Sequence, residues 1–407
     1  MPSMSRREFS GSLMAGAFVP PAATPRAYAV IGAGVFGAWT AHYLLRAGHK
    51  VTLIDEYGPA SSRASSGGES RIIRCAYGPD EVYTRMAKHS LTLWSDFFAQ
   101  THRNLLHRIG VLWFASPNNQ YAAQSRETLR KIQVPFHDLS FAELRHSYPQ
   151  IHLPSGTTAI FEPESGALMA RAAVQAVVAD FVEHGGTYRH AAVQTPRGKG
   201  SLHAIHTADG SSVPADAFVF ACGPWLGKVF PDLLGHRIFV TRQEVVFFGI
   251  PPGDDRFAPP HMPVWIDFDD NRGMYGFPDL ETRGFKVAFD QHGPAFDPDS
   301  GNRIISPEKI ATARTYAAER FPALANSPIV DSRVCQYENT SNGDFIIDRH
   351  PGFDNVWIAG GGSGHGFKHG PAVGEYTAAR VTGSDTPGIE PRFSLASKGL
   401  QQHRSVY

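Results

Sequence analysis

The sequence has few cysteines, no excess of charge of either sign and no long apolar run. Its 407 residues contain three cysteines, which are too few for a disulfide framework. Lys+Arg and Asp+Glu both number 38, so the strong positive excess of a general nucleic-acid or membrane-surface binder is missing. No run of about 18 apolar residues is present, so we expect no membrane-spanning helix.

The remaining composition is that of a folded, loop-rich protein. Hydrophobic residues make up 42% of the chain and charged residues only 19%, which excludes a disordered polyelectrolyte and supplies a large core. The length favours two or three packing units, or two that are interleaved along the chain.

Residues 1–25 carry the pattern of an export signal. Ser-Arg-Arg-Glu-Phe at 5–9 is followed by a weakly apolar stretch at 13–23, the order found in twin-arginine signals. Pro20 and Pro21 interrupt the apolar stretch, and the alternative is a tail with a chance arginine pair. We expect a periplasmic or otherwise exported protein, with a cytoplasmic location as the alternative.

A strand–helix–strand unit opens the folded part of the chain. Apolar residues 27–31 predict a buried strand, residues 38–47 a helix, and residues 51–54 the next strand. A Gly-rich turn lies between the first strand and the helix. The length of the unit is that of one βαβ crossover.

The turn, Gly32-Ala-Gly-Val-Phe-Gly37, has the dinucleotide-binding pattern. Gly32 permits a tight turn, Gly34 lets backbone N–H groups approach a pyrophosphate, and Gly37 allows close helix–strand packing. Asp55 ends the second strand about 20 residues after the first glycine, where a carboxylate accepts hydrogen bonds from a ribose diol. The pattern predicts a dinucleotide site but does not separate FAD from NAD.

Eight segments, the Gly-rich turn among them, carry a family resemblance in their joint order and spacing. They are Ile31-Gly-Ala-Gly-Val-Phe-Gly37, Gly68-Glu-Ser-Arg-Ile-Ile-Arg74, Glu164-Ser-Gly-Ala-Leu168, Cys222-Gly-Pro-Trp225, Tyr275-Gly-Phe-Pro278 followed by Lys286, Cys335-Gln-Tyr337, Asp344-Phe-Ile-Ile-Asp348 and Gly362-Ser-Gly-His-Gly-Phe-Lys368. From about Tyr28 to about Gly383 the chain resembles the monomeric sarcosine oxidase and N-methyltryptophan oxidase family of FAD-dependent amine oxidases, in the D-amino-acid-oxidase-like superfamily.

The resemblance implies an α/β fold (α+β in its two-domain arrangement). A discontinuous, Rossmann-like FAD-binding domain would comprise residues 26–107, 168–238 and 335–407. A substrate domain with a mixed or antiparallel β-sheet would comprise residues 108–167 and 239–334.

The resemblance also implies a set of cofactor contacts. Arg71 would lie against the flavin ring, and Cys335 would form a thioether to the flavin 8α carbon, although an isolated cysteine is more often a small buried hydrophobe. Lys286 would activate O2 beside the flavin; from the alternation of its strand alone it could equally face solvent. The remaining implied cofactor contacts are Ser70, Gly362, Gly364, Gly366 and Lys368.

His365 occupies a position where family members place a histidine near the flavin. The alternative from the residues alone is a histidine whose ring is satisfied by the backbone of the turn.

The implied substrate site pairs cations with aromatic side chains. Arg74 and Lys368 would bind the substrate carboxylate, a task that suits the guanidinium fork, and Tyr275 and Tyr337 would line the pocket. Whether Arg71 and Arg74 share a face depends on whether that stretch is helical or extended. Aromatic residues at such positions are also often plain core.

One position departs from the family pattern. Four residues after Lys286, sarcosine oxidases proper carry a histidine, whereas this chain has Asp290. A carboxylate there would attract a cationic amine or additional N–H and O–H donors, which opens larger or more polar substrates such as sugar-amine adducts or opine-like amines. Asp290 facing solvent is the alternative.

The sequence therefore predicts a monomeric FAD-dependent oxidase of secondary or N-substituted α-amino acids, which uses O2 and releases H2O2. We expect no metal, nucleic-acid or membrane partner. The alternatives are a flavin dehydrogenase with another electron acceptor, a fructosyl-amino-acid, opine-type or primary L-amino-acid oxidase, an NAD-dependent dehydrogenase, and a flavin-binding protein without turnover.

Overall fold

The computed structural model describes residues 24–267, 273–384 and 389–403. The predicted export signal lies outside the described residues except for its last two positions. No helix within these ranges is long and apolar enough to cross a membrane.

The strands of the described ranges are numbered in chain order. They are β1 (Ala27–Ile31), β2 (Lys50–Asp55), β3 (Ser70–Ile73), β4 (Leu106–His107), β5 (Val111–Ala115), β6 (His137–Leu139), β7 (Thr158–Glu162), β8 (Gly166–Met169), β9 (Thr187–His190), β10 (Ala204–His206), β11 (Ser212–Pro214), β12 (Ala217–Phe220), β13 (Phe239–Phe248), β14 (Val264–Asp267), β15 (Met274–Phe277), β16 (Phe285–Phe289), β17 (Ile329–Asn339), β18 (Ile346–Arg349) and β19 (Val356–Gly360).

The helices are numbered in the same way. They are α1 (Val35–Arg46), α2 (Glu81–Gln100), α3 (Gln120–Ile132), α4 (Phe141–Ser147), α5 (Ala170–Glu183), α6 (Leu226–Val229), α7 (Pro231–Leu234), α8 (Pro307–Arg320) and α9 (Gly370–Thr382).

A six-stranded sheet with the order β18-β19-β12-β1-β2-β9 forms the nucleotide-binding half. Its strands pair in parallel except for β18, which is antiparallel to β19. β1 and β12 are almost fully buried, as expected for a parallel sheet covered on both faces. Helix α1 packs on β1 and β2 and also contacts α5 and α9. The strands of this sheet therefore come from the N-terminal, middle and C-terminal parts of the chain.

An eight-stranded sheet with the order β17-β13-β16-β15-β14-β5-β7-β6 forms the second half. Its pairs are antiparallel except for β14 with β5. Phe285, Val287 and Phe289 of β16 pack in the apolar core on one face, with the side chains of α8. Because side chains alternate along a strand, Lys286 points to the other face. That face is also buried, so the solvent-facing interpretation of Lys286 is wrong.

A small antiparallel sheet of β3, β8 and β4 carries the arginine segment. The stretch from Ser70 to Ile73 is extended, which resolves the choice left open by the sequence. The remaining strands, β10 and β11, form an antiparallel pair of their own.

The division into two domains remains a prediction, and its boundaries can only be compared with the bounds of the strands. Its boundary at 238/239 coincides with the start of β13, but the boundaries at 167/168 and 334/335 fall inside β8 and β17. Residues 335–339 are predicted to belong to the nucleotide domain. They form the second half of β17, which pairs with β13 over nearly its whole length in the eight-stranded sheet.

The first turn of α1 is held tightly against the loop after β1. A Cβ added at Gly37 would lie 1.8 Å from the carbonyl oxygen of Gly32, a backbone atom that cannot move aside easily. By contrast, a Cβ at Gly227 in α6 would meet its nearest atom at 3.6 Å, an ordinary contact.

We expect Gly37→Ala to destabilise the protein by about 1–3 kcal/mol, the range for overpacking a close contact. The matched change Gly227→Ala, also within a helix, should be neutral or stabilising, because alanine favours helix over glycine. Thermal unfolding of the two variants beside the parent protein measures the difference. Equal melting temperatures for all three proteins would contradict the close approach.

Candidate active site

A large cavity lies at the carboxyl ends of the parallel strands. It has a volume of about 640 Å³ and is lined by residues at the ends of β1, β2, β12 and β19. Ligands of open α/β sheets bind in this position. Gly32, Gly34 and Asp55 all line the cavity, as the sequence predicts for a dinucleotide site.

The loop after β1 has the conformation that such a site requires. Gly32 has a φ of +104°, and a Cβ there would lie 2.3 Å from the carbonyl oxygen of Ala221, so only glycine fits. Gly34 immediately precedes α1, and the N-terminus of this helix gives the adjoining part of the cavity a positive partial charge. The negative charge of a pyrophosphate is stabilised in this place.

Asp55 fixes the shape of this loop. Its Oδ2 accepts from the N–H of Ala33 at 2.7 Å and its Oδ1 from the N–H of Tyr57 at 2.8 Å. Burial raises the pKa of the carboxyl, although these backbone hydrogen bonds oppose the shift. A carboxylate oxygen accepts more than one hydrogen bond, so Asp55 keeps acceptor capacity for a ribose diol.

The second Gly-rich turn forms the opposite wall. Gly362, Gly364 and Gly366 line the cavity, and Gly364 has a φ of +82° with its Cα against the ring of Tyr337. Glu338, a residue that sequence reasoning missed, accepts from the Gly362 N–H at 3.2 Å through Oε1. Its Oε2 is buried without a hydrogen-bond partner among the described residues, and burial raises the pKa of the carboxyl to about 7.

Arg71 lies where this cavity meets a smaller one, and it lines both. Its guanidinium donates to the carbonyl oxygens of Ser70 (2.9 Å) and Ser65 (2.8 Å), and Nη2 is 3.2 Å from the Sγ of Cys335. The sulfur of Cys335 thus contacts a cation that is itself fixed by two backbone carbonyl oxygens. Cys335 is buried and does not itself line the larger cavity.

Lys286 lies behind Arg71, away from both cavity linings. Its Nζ is 3.2 Å from the carbonyl oxygen of Ser70 and 4.5 Å from the ring centroid of Phe277. Burial, reinforced by repulsion from Arg71, holds the pKa of the ammonium well below its ordinary value. The predicted cofactor contact Ser70 thus anchors Lys286 and lines neither cavity.

The smaller cavity, of about 60 Å³, brings most of the predicted substrate residues together. Its polar lining consists of Arg71, Arg74, Tyr275, Asp290, Tyr337, His365 and Lys368. Arg71 and Arg74 both reach it although their stretch is extended, because the strand ends at Ile73 and Arg74 follows it.

Two cations occupy one side of the smaller cavity. The guanidinium of Arg74 lies between the rings of Tyr77 and Trp113, with its carbon 4.3 Å and 4.7 Å from their centroids. The Nζ of Lys368 donates to the Tyr77 hydroxyl at 2.7 Å and to the carbonyl oxygen of His365 at 2.9 Å. Burial and repulsion from Arg74 lower the pKa of Lys368 well below its ordinary value.

The other side holds two phenols and a carboxylate. The hydroxyls of Tyr275 and Tyr337 are 3.5 Å apart, and the Tyr337 hydroxyl donates to Oδ1 of Asp290 at 3.4 Å. Asp290 is only 8% exposed, so the solvent-facing alternative for this residue is wrong. The carboxylate belongs to the lining of the cavity.

His365 contacts a backbone oxygen, but one of a different loop from the turn that its alternative interpretation names, together with a phenol hydroxyl. Its Nε2 is 3.0 Å from the carbonyl oxygen of Gly343 and its Nδ1 is 3.2 Å from the Tyr77 hydroxyl. The ring therefore joins the turn to the cation side of the smaller cavity.

Sequence reasoning and structure differ on which residues form the larger cavity. Four residues predicted as cofactor contacts, Gly37, Ser70, Cys335 and Lys368, are absent from its lining. Tyr77 and His369 behind the smaller cavity were missed, and the one available signal was the position of Tyr77 three residues after Arg74. Across the described ranges, no cluster of three or more His, Cys, Asp or Glu side chains could hold a metal ion.

The residues present fit FAD. The glycines of the first loop, the start of α1 and Asp55 provide sites for a pyrophosphate and a ribose at one end of the larger cavity. Arg71 and Gly364 of the second Gly-rich turn line both the larger and the smaller cavity. A redox ring held there would lie within reach of a small anion in the smaller cavity.

Comparisons with known proteins agree with this arrangement. The crystal structure of L-proline dehydrogenase from P. horikoshii has the same fold, with a TM-score of 0.79 at 21% identity over 91% of this chain and 97% of that one. The N-methyl-L-tryptophan oxidase of Yersinia pestis (strain Pestoides F) is 27% identical over 90% of this chain and 98% of that one.

A third protein, the monomeric sarcosine oxidase of Bacillus sp. (strain NS-129), is 31% identical over 379 residues, which are 92% of this chain and 97% of that one. The profile of the FAD dependent oxidoreductase family matches residues 27–380. The chain therefore belongs to the FAD-dependent oxidoreductase family.

Proposed function

We propose that the protein oxidises secondary or N-substituted α-amino acids and transfers the electrons to O2. One observation carries the proposal: two buried cations, Arg74 and Lys368, share a small cavity that Arg71 separates from the FAD cavity. Among the described residues, no carboxylate lies within ion-pair distance of either cation. The similarity to a sarcosine oxidase and an N-methyl-L-tryptophan oxidase supports the amine class.

The substrate carboxylate would bind between Arg74 and Lys368. The guanidinium offers a fork of two parallel donors, and the ammonium has three N–H groups, of which two already bind Tyr77 and His365. The third N–H is left for the substrate. This contact would orient the amine toward Tyr275, Tyr337 and Asp290 on the other side of the cavity.

Asp290 favours an amine whose substituent carries hydrogen-bond donors. Its carboxylate lines the cavity beside the Tyr337 hydroxyl, and a carboxylate accepts hydrogen bonds from N–H and O–H donors. Substrates with a polar N-substituent therefore fit this pocket better than simple N-methyl compounds.

FAD, when bound, accepts a hydride equivalent from the carbon next to the substrate nitrogen and delivers two electrons to O2. The substrate becomes an imine, which water hydrolyses to an amine and a carbonyl compound, while O2 and two protons become H2O2. Lys286 would stabilise the negative charge that develops on O2, since a fixed cation in a dry site acts strongly on nearby charge.

We further propose that Cys335 binds the flavin covalently. The Sγ–C bond would replace one C–H bond of the flavin 8α methyl group, a two-electron oxidation in which O2 is the final acceptor and becomes H2O2 with the protons lost from the thiol and the methyl group. The Arg71 guanidinium donates to the Sγ at 3.2 Å and would hold it in place for this step.

The substrate class can be read from anaerobic loss of flavin absorbance. We expect N-alkyl, cyclic and N-glycated α-amino acids to bleach the flavin, while the same amines without a carboxylate do so at least about tenfold less readily, because they lack the ion pair to Arg74. Bleaching by primary amino acids alone would refute the secondary-amine proposal and leave the FAD assignment intact.

Lys286→Met should separate the two half-reactions. We expect anaerobic flavin reduction to change only a few-fold, whereas reoxidation by O2 slows by at least about 100-fold, since the cation acts only on the oxygen step. Because burial lowers the pKa of Lys286, reoxidation by the parent enzyme should slow as the pH rises through that pKa and the charge is lost.

The matched control for this variant is Lys309→Met. Lys309 also lies over an aromatic ring, 4.5 Å from the centroid of Phe289, but outside both cavities. Stopped-flow reoxidation at the same rate in Lys286→Met and Lys309→Met would contradict the role of Lys286.

Acid precipitation tests the covalent bond. The precipitate of the parent protein should stay yellow, while Cys335→Ser should release all its flavin to the supernatant. Cys222→Ser is the control, since Cys222 lines the larger cavity and burial raises the pKa of its thiol strongly. Colour in the supernatant of the parent protein, or its retention by Cys335→Ser, would exclude this attachment.

A further inference from the structure

One buried tyrosine contacts both cations of the proposed carboxylate site. Tyr77 is 3% exposed and lies in the connection that follows β3. Its ring supports the guanidinium of Arg74, and its hydroxyl binds the Nζ of Lys368 at 2.7 Å. It does not line either cavity, so it touches the cations from behind.

The Tyr77 hydroxyl also binds two histidines. It lies 2.7 Å from Nε2 of His369 and 3.2 Å from Nδ1 of His365. The Nε2 of His365 contacts the carbonyl oxygen of Gly343, so Nε2 carries that ring's proton and Nδ1 accepts. The Tyr77 hydroxyl therefore donates to His365.

The remaining hydrogen bonds follow from the capacity of a phenol oxygen. It accepts two hydrogen bonds, which are supplied by the ammonium of Lys368 and the Nε2–H of His369. Burial, together with repulsion from Lys368, lowers the pKa of His369 well below its ordinary value. In this arrangement the Tyr77 hydroxyl donates one hydrogen bond, to His365, and accepts two, from Lys368 and His369.

We propose that Tyr77 is a positioning residue that holds Arg74 and Lys368 at the spacing a carboxylate requires. This inference rests on the proposed function. The two cations repel each other, and among the described residues no carboxylate lies within ion-pair distance to hold either one. An aromatic face for Arg74 and a hydroxyl acceptor for Lys368, supplied by one rigid side chain, perform that task.

The charge state of Lys368 depends on several neighbours. Desolvation and Arg74 lower its pKa, and nearby acidic groups oppose that effect. The titratable and charged groups around it are Arg74, Cys75, Tyr77, Glu162, Asp290, His365 and His369. An anion binds best while Lys368 is an ammonium, so the affinity should fall as the pH rises through the pKa of Lys368.

Tyr77→Phe keeps the ring beneath Arg74 and removes only the hydroxyl. We expect the Kd of acetate, measured on the holoenzyme by the perturbation of flavin absorbance, to rise about tenfold, the effect of one lost hydrogen bond to a charged group. The pH at which acetate affinity declines should also move lower, because the ammonium loses an acceptor. In Tyr77→Phe, the rate of anaerobic flavin reduction at saturating substrate should change far less than the substrate concentration that gives half of that rate.

Tyr83→Phe is the matched control. Tyr83 stacks on Tyr77 with ring centroids 5.4 Å apart and is equally buried, but its hydroxyl donates to Oδ1 of Asp344, whereas the Tyr77 hydroxyl accepts from Lys368. Tyr83→Phe should leave the Kd of acetate and its pH dependence unchanged. Acetamide, which is uncharged, should bind equally well to the parent protein and to Tyr77→Phe. His369→Leu, which removes one partner of the Tyr77 hydroxyl, provides a second variant and should raise the Kd less than Tyr77→Phe.

An unchanged Kd and pH midpoint in Tyr77→Phe would overturn the inference, as would equal effects of Tyr77→Phe and Tyr83→Phe. If no amine bleaches the flavin of the parent protein, the proposed function fails, and the acetate titration still decides the role of Tyr77.

Discussion

The site depends on the burial of like charges. Arg74, Lys286 and Lys368 are at most 5% exposed, and Arg71 lies among them. In the part of the chain that the structure describes, none of them has a carboxylate within ion-pair distance. Carbonyl oxygens, aromatic faces and hydroxyls contact them instead, which supplies acceptors for part of their donors and leaves each charge without an ion-pair partner. A chain with no net charge thus concentrates positive charge where FAD and an anionic substrate would meet.

This arrangement also explains why the two lysines differ from surface lysines. Each is desolvated and each faces an arginine, so both effects lower the pKa. Binding of an anion beside Lys368 reverses the second effect, because the carboxylate stabilises the ammonium. Lys286 faces no such anion in the smaller cavity, and its charge is available for a species that becomes negative only during the reaction.

The sequence predicts the local parts of this picture and misses the long-range ones. β1, α1 and β2 follow from apolar periodicity and the glycines between them, and the structure confirms all three near the predicted bounds. The burial of Lys286 and Asp290 could not be predicted from periodicity, because it depends on which distant segments pack over this part of the sheet. Tyr77 and Lys368 lie 291 residues apart, and no local pattern reports that contact. The FAD dependence was accessible only because several segments carried the family resemblance together.

The two sides of the smaller cavity divide the work of recognition. Arg74 and Lys368 are fixed by stacking and hydrogen bonds to the groups behind them, so they suit a feature that every α-amino acid shares, the carboxylate. Tyr275, Tyr337 and Asp290 contact each other at 3.4 and 3.5 Å and line the cavity itself, whereas Tyr77, which holds Arg74 and Lys368 from behind, does not. Asp290 adds a negative charge that selects among nitrogen substituents. Substrate preference in this protein should therefore be set on the Asp290 side, while affinity comes from the cation side.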